Sequence, residues 1–533
     1  QLLNPFFNHA GQASRYNTRI ENQNINLISG YSDNDIFNNK YSFLVGYEYQ
    51  KSQNQYSSIS TNNVLGPINQ VSDLDTTIEL STPSSRYAFL SYFTRGKYNI
   101  RDKFYLQGTM RVDGSSRFGS NNVYGYFPSA SFAYIVSEEN FIKRVDNINF
   151  LKFKVSYGKT GNANIPNDQW RATFSDTTNS ISYNNEPIIF PIRRENPDLK
   201  WESSKTLDVG IEGGLYDDRV HFTLEAYRKY SEGVIMDISL PPSSGFTSYW
   251  DNVGEILNKG IELSIASHNI VKPNFKWSTN FNIAHNYNEI VSIGPYSEDA
   301  VAGGTNDTRV VVGMPVGTNF LVRFSHVDPA NGRPVYLDIN GNETYDWDPA
   351  NRVPVGNVLP DFVGGLTNTF SLKNFDIGLV LTFQVGADIY DSSSKRQLGV
   401  VTDWNFDERI YDRWREPGDI ATYPVLTMDP STYGASTPWI NTDLWLHDGS
   451  YLRFRNFSIA YNVPKSKIEN WKIDKMRVEL SATNFLTITK YPGLDPEIAR
   501  DFEDNADRNM SANITFLTPP QEKTVNLSIN LSF

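Results

Sequence analysis

The chain has 533 residues, 39% of them hydrophobic and 14% aromatic, with a formal net charge of −12 and no cysteine. The missing cysteines exclude disulfide scaffolds, thiolate metal sites and cysteine nucleophiles, and the acidic balance argues against nucleic acid as a partner, because phosphate binding needs clustered Lys and Arg. A mean hydropathy of −0.45 leaves nothing near the ~18 consecutive apolar residues of a membrane helix, which excludes helical membrane proteins but not barrels, whose strands are only half apolar.

The front, Gln1-Leu2-Leu3-Asn4-Pro5, lacks the basic start and apolar core of a signal peptide. A chain exported to the surface should carry one, so this front is expected to be mature or truncated. Further along, period-two alternation recurs. Leu151, Phe153, Val155 and Tyr157 oppose Lys152, Lys154, Ser156 and Gly158. Ile261, Leu263 and Ile265 alternate in the same way, as do Phe275, Trp277, Phe281 and Ile283. Phe375, Ile377, Leu379, Leu381, Phe383 and Val385 form a longer run, followed by Met476, Val478, Leu480 and Ala482. The last nine residues alternate without a fault: Val525, Leu527, Ile529, Leu531 and Phe533 on one face, Asn526, Ser528, Asn530 and Ser532 on the other. Runs of this kind, about 8–11 residues long, are the signature of barrel strands with one face in lipid and one in a wet lumen. A soluble sheet packing one face on a core gives the same local pattern, so repetition along the chain decides. No amphipathic helix of any length stands out.

The connections are uneven. Leu215-Tyr216-Asp217-Asp218-Arg219 and Leu372-Lys373-Asn374-Phe375 read as tight turns, since Asn and Asp tolerate unusual backbone angles. The stretches 161–200, 286–360, 390–447 and 490–520 read as long loops. Short turns on one rim and long loops on the other are the bacterial outer-membrane pattern, and the runs amount to about 14–16 strands.

Several motifs carry two readings. Asp113-Gly114-Ser115-Ser116-Arg117 is either a binding loop or a knot of paired charges in a crowded lumen. Gly158-Lys159-Thr160 imitates the end of a phosphate loop, but Phe153 stands where the first Gly belongs and no helix follows. Asp338, Asn340, Asn342 and Asp346 place oxygen side chains around Gly341, a spacing that suits Ca²⁺ and equally an Asx-rich turn. Trp170, Trp250, Trp404, Trp414 and Trp439 lie in loops, where they either stack on substrate or a partner, or pin the loops together. The six His show no metal-ligand spacing, no required cofactor is indicated, and no catalytic set emerges.

A resemblance then spans residues 87–533. Ser91-Tyr92-Phe93-Thr94-Arg95, Arg111-Val112-Asp113-Gly114-Ser115-Ser116-Arg117-Phe118, Phe127-Pro128-Ser129-Ala130-Ser131 and Ser137-Glu138-Glu139-Asn140-Phe141 occur in order. Leu151 to Asn162, Asn196-Pro197-Asp198-Leu199-Lys200-Trp201-Glu202, Asn252 to Glu262, Asn484-Phe485-Leu486 and Tyr491-Pro492-Gly493-Leu494-Asp495-Pro496-Glu497 complete the series. Together they resemble the barrel half of the SusC/RagA family of TonB-dependent nutrient transporters of Bacteroidota. The resemblance implies an all-β, transmembrane antiparallel β-barrel, with residues 1–533 as the C-terminal part of a barrel of roughly 22 strands. It implies that the signal peptide, the small N-terminal β-domain, the TonB box, the plug and the first strands lie outside this sequence. A partial barrel leaves costly unpaired edges in lipid, so the remainder is expected in another segment. The implied function is import of an oligosaccharide or oligopeptide, with no enzymatic activity. The implied partners are a SusD-like surface lipoprotein, TonB–ExbB–ExbD acting through the plug, outer-membrane lipid, and the BAM assembly machinery, for which Phe533 would be the signal. A passive porin or structural barrel is the alternative.

Overall fold

The computed structural model describes residues 11–64, 78–81, 84–176, 182–183, 186–187, 189–301, 308–399, 405–426, 441–497 and 513–533. Trp404 and Trp439 lie outside the described residues. The structure is overwhelmingly β, and its long ladders are antiparallel. It divides into two units, residues 1–132, 157–205 and 232–253 forming the first, and 133–156, 206–231 and 254–533 the second.

In the first unit, strand Gly11–Asn34 pairs with Lys40–Val64, which pairs with Ser84–Ile100, which pairs with Phe104–Ser115. The 24- and 25-residue strands at the front of this ladder carry little periodicity that a sequence reading can use. Asn22-Gln23-Asn24 is polar on both faces, so pairing rather than patterning holds it extended. One face carries an ion cluster: Arg111 donates to Asp113 at 2.7 Å and to Glu48 at 3.1 Å. Its guanidinium lies 5.4 Å from the centre of the Phe93 ring. That ring crosses Gly46, where a Cβ would come within 2.1 Å of it, so only glycine fits beneath.

The second unit shows the alternation as a two-faced wall. Strands Phe275–Ser292, Phe362–Leu372, Phe375–Val385, Tyr451–Val463, Lys475–Thr489 and Thr524–Ser532 pair in sequence, each antiparallel to the next. Residues directly opposite one another share a face. One row therefore runs Phe275, Leu372, Phe375, Tyr461, Val478, Ile529, and the next runs Trp277, Phe370, Ile377, Ile459, Leu480, Leu527. The interleaved row is Lys276, Ser371, Asp376, Ala460, Glu479, Ser528. Six strands thus give every large apolar side chain of these rows to one face and every charge to the other. The two central strands are 11 residues each, which matches a tilted membrane crossing of ~9–11 residues. On the apolar face Val525 and Leu527 are 72% and 70% exposed. On the polar face Arg477 donates to Asp376 at 2.6 Å and to Glu479 at 3.1 Å.

One end of this unit is a rim of short turns stitched by backbone hydrogen bonds. Tyr216 N–H donates to Asn147 C=O at 2.9 Å, His268 to Arg219 at 2.7 Å, Lys373 to Asn274 at 3.0 Å, Asn462 to Asn374 at 2.8 Å, and Asp474 to Ser532 at 2.7 Å. Tyr216, Asp217, Asp218 and Lys373 all adopt positive φ, the strained geometry a tight reversal needs. Chain direction puts the long connections at the opposite end. These are not irregular: strand Thr318–Val327 pairs with Thr308–Arg309, Pro334–Leu337 and Arg352–Val355. Strand Asp388–Asp391 pairs with Leu446–Asp448 and Ile514–Thr515, and an 8-residue helix, Ser392–Gly399, follows it. The polar, Gly- and Pro-rich sequence of these stretches predicts loops; the structure gives them short strands and a helix. The continuous strand Ile148–Asn162 runs through Gly158-Lys159-Thr160, so no helix N-terminus meets a phosphate at that point.

Replacing Leu527 with Arg is expected to destabilise the membrane-embedded protein by about 2–4 kcal/mol if it lies near the bilayer midplane, and Asn526→Arg by much less. Unfolding from lipid bilayers measures both; equal costs would refute the face assignment.

Candidate functional site

The polar face of the second unit and the loops above it hold the groups able to meet a solute. Their anchor is Arg453. Strand Tyr451–Val463 reads Leu452-Arg453-Phe454-Arg455-Asn456-Phe457, so its apolar positions shift from even to odd numbers. A strict strand would turn Phe457 onto the arginine face. The register shifts at this point against both neighbours, between Phe454 and Asn456 and between Val380 and Leu381. The extra residue absorbs the slip, as bulges do. Phe454 stays opposite Leu381 and Phe457 opposite Leu379, leaving Arg453 opposite Thr382 on the polar face.

Arg453 is only 1% exposed. It pairs with Asp495 and, at 3.1 Å, with Glu497. Arg455 pairs with Glu497 as well, and donates to Thr382 Oγ1 at 3.2 Å. Asp495 also accepts the N–H groups of Glu497 at 2.9 Å and Gln521 at 3.0 Å. Burial pushes the Asp495 carboxyl up, but Arg453 and the two N–H groups outweigh it and hold it below the ordinary carboxylate value. The segment Tyr491–Glu497 is thereby clamped onto the wall. Tyr491 is itself buried, with its hydroxyl 3.2 Å from Thr515 Oγ1. Nothing in the sequence of this segment alone gives it a role. The available signal was a pair of arginines in a barrel strand and a pair of carboxylates in the following loop.

Above the wall the loops share a hydrophobic core of Leu321, Val322, Tyr336, Tyr390, Leu398, Tyr423, Trp445 and Ile514. Trp414 serves this packing: its indole N–H donates to Pro329 C=O at 2.9 Å and its ring covers Gly332, whose φ is +71°. Trp347 donates to Asn441 C=O at 3.3 Å. Burial holds His447 below its ordinary value, and therefore neutral at neutral pH.

Trp170 and Trp250 meet in the first unit, against the buried cluster of Phe118, Ile165 and Leu199. Trp170 donates to Ser116 C=O at 3.3 Å, whereas the Trp250 indole N–H is buried with no hydrogen-bond partner among the described residues. Trp201, which sequence reading passed over as a site, joins them, with Phe118 at 4.6 Å and Phe127 at 5.4 Å between ring centres. Arg117 lies 4.3 Å over the Tyr87 ring and donates to Asn167 at 2.7 Å and to Ala163 C=O at 2.8 Å. In this geometry the Asp113–Arg117 motif ties strands to loop.

Asp338 closes its own turn. Its carboxylate accepts the N–H groups of Asn340 at 2.9 Å and Asn342 at 2.8 Å, and the Asn342 side-chain amide at 3.0 Å. Those bonds, the Asn342 amide first, hold its carboxyl below the ordinary value. Asp346 is not drawn in; its N–H donates to Thr344 Oγ1 at 3.0 Å. Among the described residues no three His, Asp or Glu side chains gather to hold a metal ion. Phe533 follows the last strand and is 83% exposed.

Comparison with known proteins agrees with this architecture. Residues 2–485 match the family described as TonB dependent receptor-like, beta-barrel. TonB-dependent receptor P3 of Formosa agariphila is 30% identical over 519 residues, covering 92% of this chain and 50% of that protein. TonB-dependent receptor SusC of Bacteroides thetaiotaomicron is 28% identical over 454 residues, covering 80% of this chain and 43% of SusC. The solved RagAB peptide transporter superposes with a TM-score of 0.83 at 22% identity, covering 98% of this chain and 56% of that one. The chain belongs to the TonB-dependent receptor β-barrel family, a family of the outer membrane. Its relatives make it SusC-like, and it spans about half the length of the curated relatives it matches.

Asp495→Asn is expected to lower hydrogen-exchange protection of the Glu497 and Gln521 amides at least a hundredfold, since breaking a buried pair strands the other charge. Arg455→Met, whose partner is half-open to water, should cost less. Because Asp495 sits below its ordinary value, its contribution is complete at neutral pH and is lost only as pH falls through that depressed value, below about 4. Loosening already at pH 6 would contradict the clamp.

Proposed function

We propose that this chain is the C-terminal part of the barrel of a SusC-like importer that brings oligosaccharides or oligopeptides across the outer membrane. The observation that carries the reading is the two-faced wall: a predominantly apolar face, interrupted at Thr279 and Asn368, beside a polar face laced with ion pairs. The wall sits beneath loops that have a core of their own. A soluble domain would cover the apolar face; a transmembrane wall gives it to lipid. The family supports the rest. A SusD-like lipoprotein would rest on the long loops and close over the substrate. TonB–ExbB–ExbD would supply the pull, acting on a plug carried by another segment of the full-length protein. The remaining strands would close the barrel to roughly 22, and the BAM machinery would read Phe533 during insertion. The chain supplies wall, loop platform and anchored strap, and no catalytic chemistry. Trp170 and Trp414 in the loops, and Trp250 near the start of strand Ser248–Lys272, would together with Trp404 and Trp439 offer stacking faces to substrate or lid, and the turn of Asp338, Asn340 and Asn342 would bind a loop Ca²⁺ with Asp346 reaching it from the following residues.

Two tests follow from this reading. The full-length protein, purified from its native membrane in mild detergent, should carry a SusD-like lipoprotein and plug-derived peptides by mass spectrometry. A barrel with neither would be a passive porin or structural component. If the Asp338 turn holds Ca²⁺, chelation should raise protease cleavage there; unchanged cleavage would leave the turn to its own hydrogen bonds.

A further inference from the structure

The interruption of the apolar face at Thr279 and Asn368 is a small polar patch. The two residues stand opposite one another, and Ser267 stands opposite Thr279 on its other side. Strand Ser248–Lys272 bulges between His268 and Ile270, and the extra residue, Asn269, is turned onto the same patch. Apolar rows bound it along the strands. Phe281 and Leu366 lie on the far side, and Trp277 and Phe370 on the side of the short turn at 273–274.

The hydrogen bonds of this patch have a forced direction. An indole N–H can only donate. Trp277 Nε1, at 2.9 Å, therefore fixes the near atom of the Asn368 amide as its oxygen. Thr279 Oγ1 lies 2.7 Å from the same oxygen and donates its proton there. It is then left to accept from the Asn269 amide nitrogen at 2.7 Å. The Asn269 oxygen accepts from Ser267 Oγ at 2.9 Å. Both hydroxyl protons are thus committed. The protons left over are amide N–H groups, both of Asn368 and the second of Asn269, and they donate to none of the described residues. In hydrocarbon an unmet N–H is costly, more so than a spare lone pair. What the patch lacks is an acceptor.

Its height names the acceptor. Trp277 and Phe370 stack with ring centres 5.7 Å apart, one row nearer the turn. Aromatic residues at the end of a lipid-facing wall mark the membrane interface. The next row inward meets the glycerol esters of the lipids, whose carbonyls accept and cannot donate. A second copy of the same face would set N–H against N–H.

We propose that Asn269, Thr279 and Asn368 form a binding site for a diacyl glycerophospholipid of the leaflet at the short-turn rim. The Asn368 and Asn269 amides donate to its ester carbonyls, and the headgroup takes no part. The inference rests on the membrane-wall reading above and adds one defined lipid site to that wall.

The test uses the full-length protein in nanodiscs holding equal parts of a diester phosphatidylcholine and its diether analogue, which has the same chains and headgroup but no carbonyl. Native mass spectrometry tells the two apart by mass as the disc is stripped. The wild type should retain the diester about fivefold over the diether, the discrimination that two net hydrogen bonds supply. Asn368→Leu and Asn269→Leu should each lose part of that preference and the double variant all of it. Asn280→Leu, on the polar face, should keep it. Heat-dependent gel mobility reports folding of each variant, and the wild-type comparison needs no variant. Equal retention of diester and diether by the wild type, or an undiminished preference in folded double variant, would overturn the proposal. So would wild-type pairs that the double variant separates without any ester preference, which would give the patch to a second copy. Failure of the wild type to enter discs would instead sink the membrane reading beneath it.

Discussion

Everything in this structure follows from one constraint: backbone N–H and C=O groups in hydrocarbon have no water to bond, so each strand must find its partners in its neighbours. The second unit satisfies this by unbroken antiparallel pairing from Phe275–Ser292 to Thr524–Ser532. Once the pairing is fixed, the side-chain period of two sorts residues without further choice. Phenylalanines, leucines and isoleucines fall on one face, and Asp376, Arg477 and Glu479 fall on the other, where they neutralise one another. Even the rim obeys the rule, since backbone N–H···O=C bonds link its neighbouring connections and strand ends.

The same constraint explains the bulge at Arg455. A one-residue slip in apolar phase would carry arginines to the lipid face, at a cost of about 2–4 kcal/mol each near the midplane. Accepting an unpaired residue in the ladder is the smaller loss. The bulge also aims Arg453 and Arg455 at Asp495 and Glu497, so the device that preserves the wall also fastens the strap of the last long loop. Buried charge is tolerable there because both signs arrive together and because backbone N–H groups complete the Asp495 shell.

The legible part of the sequence was the part governed by period two. The runs at 151–158, 261–265, 275–283, 375–385, 476–482 and 525–533 all lie on strands, apart from Phe533 just beyond the last one, and the tight turns at 215–219 and 372–375 are turns. The front ladder was not legible, because Gly11–Asn34 is too polar on both faces to reveal a side. The loops hid their small sheets and helix for a related reason: their core gathers single residues such as Val322, Tyr390, Trp445 and Ile514 from distant segments. No local period records that. Among the tryptophans, Trp170 and Trp414 donate hydrogen bonds that pin loops, while the importance of Trp201 shows only in three dimensions, where its ring meets Phe118 and Phe127.

The central claim is that one face of this wall meets lipid and the other meets water. The chain has no cysteine of its own, so single cysteines introduced along the last strand can be read without background from it. In the full-length protein in its native outer membrane, Leu527→Cys and Ile529→Cys should resist a small water-soluble maleimide and be quenched by a lipid-confined probe. Asn526→Cys and Ser528→Cys should do the reverse. Alternation of that kind along Thr524–Ser532 is what the account predicts; labelling that is uniform, or that follows distance from the chain end rather than face, would contradict it.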